Sequence, residues 1–426
     1  MSLSPRLLLV LAMANAPLAA QDFLPPPQAA HAAIATHAEV RAADARVSEA
    51  RERARALAAG PHDTTLGIAP VRRSVRDAAT PSGRASQAEW ELQLSRAIRL
   101  PGKAALDRES GAHGLAAAAL LQGDAEHQAA RRLLALWLGW LRAEAVAHFA
   151  SARHDSLVRE RDVIQRRLDL GAAAQRELDQ IEAELAGAVG ALRQAQGDAA
   201  AQRLALGTDF SLLALPARAP QLPAPVALDA GASSWVERII ERSHEIRASE
   251  ELAAQRESLA ARAHRDRLPD PSIGLRSFSE RDGMERGIGI VLNIPFGGSR
   301  RSAEARAEDA AAEAARDEVD AMRRDITREA QLDVARSQLA LELWQAALAA
   351  QTAHATSAAR QRRAWELGEI GLAERLQAER LAADAALAEL RARADAHETR
   401  LRVLIDAHEL WHLADDTADH ASHALP

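Results

Sequence analysis

The chain has 426 residues, a formal net charge of -7, and 48% hydrophobic residues but only 3% aromatic ones, with no Tyr and no Cys. Aromatic side chains carry much of an ordinary globular core's buried area, so Ala, Leu, Ile and Val must build this one, in the proportions of long helices and coiled coils. The lack of Cys excludes disulfides, thiolate metal sites, thiol nucleophiles and a lipidated N-terminal Cys, and the negative charge argues against a general nucleic-acid binder.

The N-terminal MSLSPRLLLVLAMANAPLAAQDF has the basic Arg6, an apolar run from Leu7 to Met13 and then small residues. That is the pattern of a secretory signal, expected to span 1–20 with cleavage after Ala20. No later stretch reaches the ~18 apolar residues of a membrane helix. LLALWLGWL, from Leu133 to Leu141, comes nearest and stops at Arg142. An exported chain without a spanning helix can cross a membrane only as β-structure. Basic residues are Arg throughout except for Lys103, which reads as base composition and not as function.

Proline divides the rest. None occurs between Pro101 and Pro216, or between Pro295 and Pro426, and these are the windows with helical periodicity. The Pro-rich segment 215–234 separates two similar units, 21–214 and 235–415, followed by a tail, 416–426. HAEVRAADARVSEARERARAL at His37 resembles SHEIRASEELAAQRESLAARA at Ser243, LGI at Leu66 matches IGL at Ile273, and RLPGKAALD at Arg99 matches NIPFGGSRRSA at Asn293. LGAAAQRELDQIEAEL at Leu170 then matches LGEIGLAERLQAERL at Leu367. The offset falls from about 206 to about 194 residues between the first and third pairs. The first unit therefore carries a longer connection between its strands, within APVRRSVRDAATPSGRAS. Each unit reads helix, strand, strand, long helix, turn, helix.

Two strand segments alternate strongly. Trp90, Leu92, Leu94, Ile98 and Leu100 share one face, interrupted by Arg96, and Glu91, Gln93 and Ser95 share the other. In the second unit Ile288, Ile290, Leu292 and Ile294 alternate with Gly287, Gly289, Val291 and Asn293. The apolar sets are expected to face lipid, with Glu91 and Asn293 on the lumen side, because barrel strands alternate in this way over ~9–11 residues. About four strands cannot close alone, but several copies can pool them. Helices are expected from Lys103 to about Leu170 and from Arg300 to about Leu367. Each would run ~100 Å at ~1.5 Å per residue, with Gly111, Gly114, Gly123 and Gly139 weakening the first.

The tandem plan, the junctions LPGK and IPFGGSR, the RLPDPSIGL lead-in to a strand and the LGEIGLAERLQAERL turn resemble TolC-like outer-membrane efflux proteins. The resemblance spans nearly all of the chain after the signal. It implies a mainly α fold with a small β part: a homotrimer in which each protomer gives four strands to a twelve-stranded barrel in outer-membrane lipid. A long helical tunnel then continues into the periplasm. It implies a passive exit duct and not an enzyme, working with a periplasmic adaptor and an inner-membrane pump, most similar to the RND type. The turns at Gly171 and at Gly368 and Gly371 would lie at the periplasmic tip. Arg176, Glu177, Asp179 and Glu182 in one unit, and Glu369, Glu374, Arg375 and Glu379 in the other, would line or latch its entrance. The compact chain, the lack of Tyr and the PGK junction are most similar to heavy-metal, CzcC-type members; the missing Cys departs from that branch's lipoproteins.

Walker-type loops are absent from the sequence, and FGGSRR at Phe296 falls short of a phosphate loop. No catalytic residue, cofactor or metal centre is assigned. The densest His group is His408, His412, His420 and His423. His408 and His412, four apart, would share a helix face, but are read as exposed residues near a frayed end. Two other readings stay open at this point. A periplasmic adaptor also has helical hairpins, but nests its domains around one of them, giving a near-palindromic order. An exported coiled-coil scaffold would leave the membrane on carbonate washing.

Overall fold

The computed structural model describes residues 23–76, 79 and 81–412. The expected signal 1–20, the tail 416–426, His420 and His423 lie outside these residues. The first unit runs α1 (Pro27–Ala35), α2 (Ala38–Ala59), β1 (Thr64–Arg76), β2 (Arg84–Ala97), α3 (Lys103–Asp169) and α4 (Gln175–Asp209). The second runs α5 (Ala232–Arg242), α6 (His244–Asp266), β3 (Ser272–Glu280), β4 (Glu285–Asn293), α7 (Ser299–Glu366) and α8 (Leu372–Asp406). Ala232, Ser233 and Ser234, read as the end of the linker, belong to α5.

The two halves match closely in their helices: α3 and α7 have 67 and 68 residues, and α4 and α8 have 35 each. α3 packs on α4, and α7 on α8; α2 lies along α3, and α6 lies against both α3 and α7, joining the units. The glycines of α3 serve this packing. A Cβ on Gly123 would stand 2.8 Å from the His244 ring, so that glycine admits the start of α6. Their cost in helix propensity is real, but it is offset by close helix approach.

The four strands form one antiparallel sheet in the order β1-β2-β3-β4. Much of the longer connection expected in the first unit, 69–76 and 84–86, is strand. β1 and β2 stay in register to Arg76↔Arg84, giving strands of 13 and 14 residues against 9 and 9 for β3 and β4.

The main core lies midway along the long helices. Leu133, Leu134, Trp137, Leu138, Trp140 and Leu141 of α3 meet Ile34 of α1, Phe210, Trp235 and Ile239, the middle of α7 at Ala330 and Val334, and Leu401 to Ile405 of α8. We refer to this region as the belt. α3 holds an 18-residue window of mean hydropathy 1.2, apolar enough by composition to cross a membrane. Its LLALWLGWL run is accounted for by this core. A smaller cluster, Leu157, Ile164, Leu178, Ile181, Ala188, Leu372 and Leu376, sits near the turns that end α3 and α7.

Candidate functional site: an amphipathic sheet, its junction and the helical tip

The sheet's register assembles an apolar face from all four strands. Leu66, Leu94, Leu275 and Ile290 stand in one cross-strand row, and Ile68, Leu92, Ser277 and Ile288 in the next. Ile290 is 76% exposed and Leu66 63%. Trp90, Leu94, Ile98, Ile288, Leu292 and Ile294 are exposed as well, and Leu92 stands at the edge of that class. Arg96 breaks the face where sequence alternation places it. The opposite face is polar and internally paired. Arg276 bonds Glu91 at 2.9 Å and lies over the Phe278 ring, and Arg73 meets Glu89 at 2.9 Å. Thr65 and Ser95 hydroxyls are 3.0 Å apart, and Asn293 donates to Ser272. Exposed apolar surface of this extent marks contact with a membrane or a partner. Among the described residues, β1 and β4 each leave one edge without a partner strand.

Below the sheet, a buried ionic knot ties the strands to the helices. Lys103, the first residue of α3, is 1% exposed. Its Nζ donates to Asp270 at 2.8 Å and to the Leu268 carbonyl at 2.7 Å, and lies 2.9 Å from Asp266. Asp107 accepts from Arg99 at 2.8 Å and from Arg262 at 2.7 Å, and Arg262 also pairs with Asp266. Arg99 further donates to the Leu57 and Ala58 carbonyls at the end of α2. Burial alone would raise the Asp270 carboxyl. Hydrogen bonds from His62, Lys103 and the Leu100 N–H outweigh it and pull the pKa down to about 2. The LPGK junction of one unit is thus bonded to the RLPDPS lead-in of the other, which makes a strand-to-helix corner rigid without a large apolar core.

At the far end, α3 and α7 stop in the same way. Gly171 (φ 69) and Gly368 (φ 78) adopt the left-handed conformation. Their N–H groups bond Leu168 and Trp365 carbonyls, and the next N–H groups bond Arg167 and Ala364. This is the glycine-terminated Schellman arrangement. Gly371 is the N-cap of α8, with φ -80. Arg176, Asp179, Glu182, Glu369 and Glu374 are exposed and Glu177 is half-buried. Arg375 differs. It is 2% exposed, pairs with Glu160 of α3, lies 3.5 Å from Glu379, and stacks 4.3 Å above the Trp365 ring. Burial pushes the Arg375 guanidinium down from its usual range. Arg362 holds Glu379 at 2.8 Å, and Glu184 accepts from Arg380 at 3.2 Å while Arg153 stands 3.7 Å away. Of these, the Arg375–Glu160 and Arg380–Glu184 pairs bind the α3–α4 hairpin to the α7–α8 hairpin inside one chain.

No protein-family model and no curated protein sequence matches the chain. Solved structures do. CusC, whose structures concern folding and transmembrane channel formation, superposes with TM-score 0.76 at 14% identity, over 89% of this chain and 91% of that one. The CmeC outer membrane channel of Campylobacter jejuni gives 0.70 at 15% identity, over 93% and 88% of the two chains. The open MtrE outer membrane channel of Neisseria gonorrhoeae gives 0.71 at 16%, over 90% and 89%. The chain has the fold of the TolC-like outer-membrane channels. Each comparison covers nearly the whole length of both chains, so the tandem order, the sheet and both long hairpins are shared. This order is not that of domains nested around a single hairpin.

Two parts of this TolC-like fold were not visible in advance. Lys103 is not a compositional accident: it is the centre of the junction knot. The available signal was its singularity, one Lys set directly after Pro-Gly. His408 and His412 are not on a helix face, because α8 ends at Asp406. His408 has φ 56, and the chain folds back so that both rings meet His244 of α6. Nothing in the spacing of His244, 164 positions earlier by the numbering, pointed to this meeting.

Proposed function

We propose that the protein is an outer-membrane exit duct. Three chains pool their sheets into a closed barrel in lipid, and their helices continue it as a periplasmic tunnel. The observation that carries this reading is the sheet: one apolar, exposed face, one polar and paired face, and two open edges, feeding directly into helices ~100 Å long at ~1.5 Å per residue. Closure with further copies would satisfy both edges and turn the apolar face to lipid, with Glu91, Arg276 and Asn293 lining the water-filled side. The chain supplies a conduit and no reaction. Energy would come from an inner-membrane pump reached through a periplasmic adaptor docked near the tip.

The tip sets the direction of selectivity. Glu182, Glu369, Glu374 and Asp179 remain in solvent while Arg375 is turned inward. Three copies would gather these carboxylates at one mouth, and rings of acidic residues favour cations. The inward Arg375 pairs would hold the two hairpins of each chain together at rest, and an adaptor would open the mouth by offering those helices other contacts. The test is planar-bilayer recording of the purified protein in a salt gradient, with Glu374→Gln and Glu177→Gln singly and together. A cation-selective conductance that loses selectivity in the double variant supports the reading. No conductance at all opposes the duct; an unchanged reversal potential removes these carboxylates from the entrance.

A further inference from the structure

The belt holds a cluster of imidazoles that the duct does not use. Among the described residues, one ring nitrogen from each of His244, His408 and His412 can be chosen so that the three lie within 4.8 Å of one another. His408 stacks between the other two: its ring centre is 4.7 Å from that of His244 and 4.2 Å from that of His412. His127 of α3 stands 5.6 Å from His408, with its Nε2 3.4 Å from the Asp406 carboxylate. A small cavity lies between His127, His408, Asp406 and Glu245.

The backbone has been bent to bring this about. α8 ends in the same hydrogen-bond pattern as α3 and α7: the His408 N–H bonds Ile405 and the Glu409 N–H bonds Leu404. At the two tip turns the left-handed position is Gly171 or Gly368; here it is His408, at φ 56. A non-glycine residue is uncommon in that conformation and persists there where the surroundings use it. On the other side, Gly123 of α3 leaves room for the His244 ring, against which any Cβ would press at 2.8 Å. Helix start, helix end and facing helix each make a concession to the same three rings.

We propose that His244, His408 and His412 form a binding site for one divalent transition cation of the Zn2+ or Cu2+ class, fastening the segment after α8 to the start of α6. Imidazole suits these ions, and three His ligands leave a fourth position for water or for His127. A tetrahedral site with bonds of about 2.0–2.1 Å needs ligand nitrogens roughly 3.3 Å apart. Side-chain rotation, of the half-buried His412 above all, must therefore close the widest separation by about 1.5 Å. Asp406 beside His127 is the carboxylate that commonly orients a metal-facing imidazole. Of the neighbouring cations, Arg242 is turned toward the Ala407 carbonyl and Glu409, and Arg131 toward Asp406 and Glu329. The site is a resident fastening of the belt and stands apart from what the duct transports.

Equilibrium dialysis of the detergent-purified full chain, stripped with chelator and then loaded with Zn2+, measures the site without any transport assay. One tight ion per chain is expected. His408→Gly suits the left-handed backbone better than the natural residue, so it tests the ligand without threatening the fold. It should weaken binding at least ~100-fold, beyond the 10–100-fold typical of losing an outer-shell partner. His244→Asn should do the same. His148→Asn on α3, and the double change His420→Asn, His423→Asn, should leave the affinity within twofold. Co2+ in place of Zn2+ should give the intense visible bands of a tetrahedral nitrogen site. Binding that survives His408→Gly, binding that follows His420 and His423 instead, or weak octahedral Co2+ bands would overturn the proposal. Failure of the dialysis would leave the duct reading untouched, and failure of conductance would leave this site untouched.

Discussion

α4 and α8 end at the belt and α3 and α7 end at the tip, yet the two regions are built from opposite materials. The belt is held by apolar burial: Trp137 and Trp140 meet edge to face at 5.2 Å, and Trp137 donates to the Phe23 carbonyl at 2.8 Å. The tip has a small apolar cluster and, at its centre, an arginine. Ion pairs with half-buried partners can be exchanged for others at little net cost, whereas a close-packed core cannot be deformed by degrees. The difference assigns the two regions different duties. On the proposed reading, the belt would fix the diameter of the wall and the tip would be where the wall parts.

The sharpest way to break that contrast is at the belt. Trp140→Ala removes a side chain that is 0% exposed, along with its bond to Glu144. It should cost about 3–5 kcal/mol, seen as loss of folded protein on purification or a large fall in melting temperature. An effect no greater than at an exposed site would mean that the belt is not the stable element. Arg375→Ala at the tip should cost about 3 kcal/mol, the low end for breaking a buried pair, because Glu160 and Glu379 reach solvent and Glu379 keeps Arg362. Its signature should be local: faster hydrogen exchange at the ends of α3 and α7 with the belt still protected. Arg375→Met, which keeps the stem over Trp365, should restore part of the protection. Uniform exchange along the helices would erase the distinction between the regions.

The sheet gives a third comparison. Leu94→Arg and Ile290→Arg place a charge on the apolar face and should cost about 2–4 kcal/mol at mid-bilayer, read as failed assembly in membranes. Glu91→Arg and Asn293→Arg on the polar face should be milder. The reverse order would show that the faces are assigned the wrong way round.

The smallest expected effect concerns the junction and acidity. A carboxyl depressed in the folded state contributes stability above its unfolded pKa and loses it as pH falls through its folded value. For Asp270 that window runs from about 4 down to about 2. Asp270→Asn should therefore lower the melting temperature at pH 7, and the gap to the unmodified protein should narrow only below pH 4. A gap that is constant with pH would mean that the charge of Asp270 contributes nothing.

Much of this architecture was legible in the sequence because it rests on local chemistry. Proline-free windows marked α3, α4, α7 and α8, period-two alternation marked β2 and β4, and Gly171 and Gly368 marked the turns. Each signal lies within a few residues. What the sequence hid depends on contacts between distant segments. Arg375 reads as an exposed latch beside Glu374, but turns inward because Glu160, on another helix, faces it. Lys103 needs Asp266 and Asp270 from the second unit to be understood. The extra residues within APVRRSVRDAATPSGRAS read as a connection because an Arg-rich stretch with only Val71 and Val75 as large apolar residues is a weak strand signal; pairing across the hairpin extends the strands to Arg76 and from Arg84 regardless. The tip carboxylates Glu177, Asp179 and Glu374 were assigned by resemblance alone, and their role at an entrance is a proposal that rests on the assembly.

That assembly is also where the account is most directly exposed. One chain supplies four strands and two open edges, so the intact barrel requires other copies. The decisive measurement is the protein mass of the detergent-purified particle by light scattering, corrected for bound detergent, with circular dichroism recorded on the same sample. The account predicts three chains per particle with the β signal present. A single chain per particle with that β signal intact would contradict it.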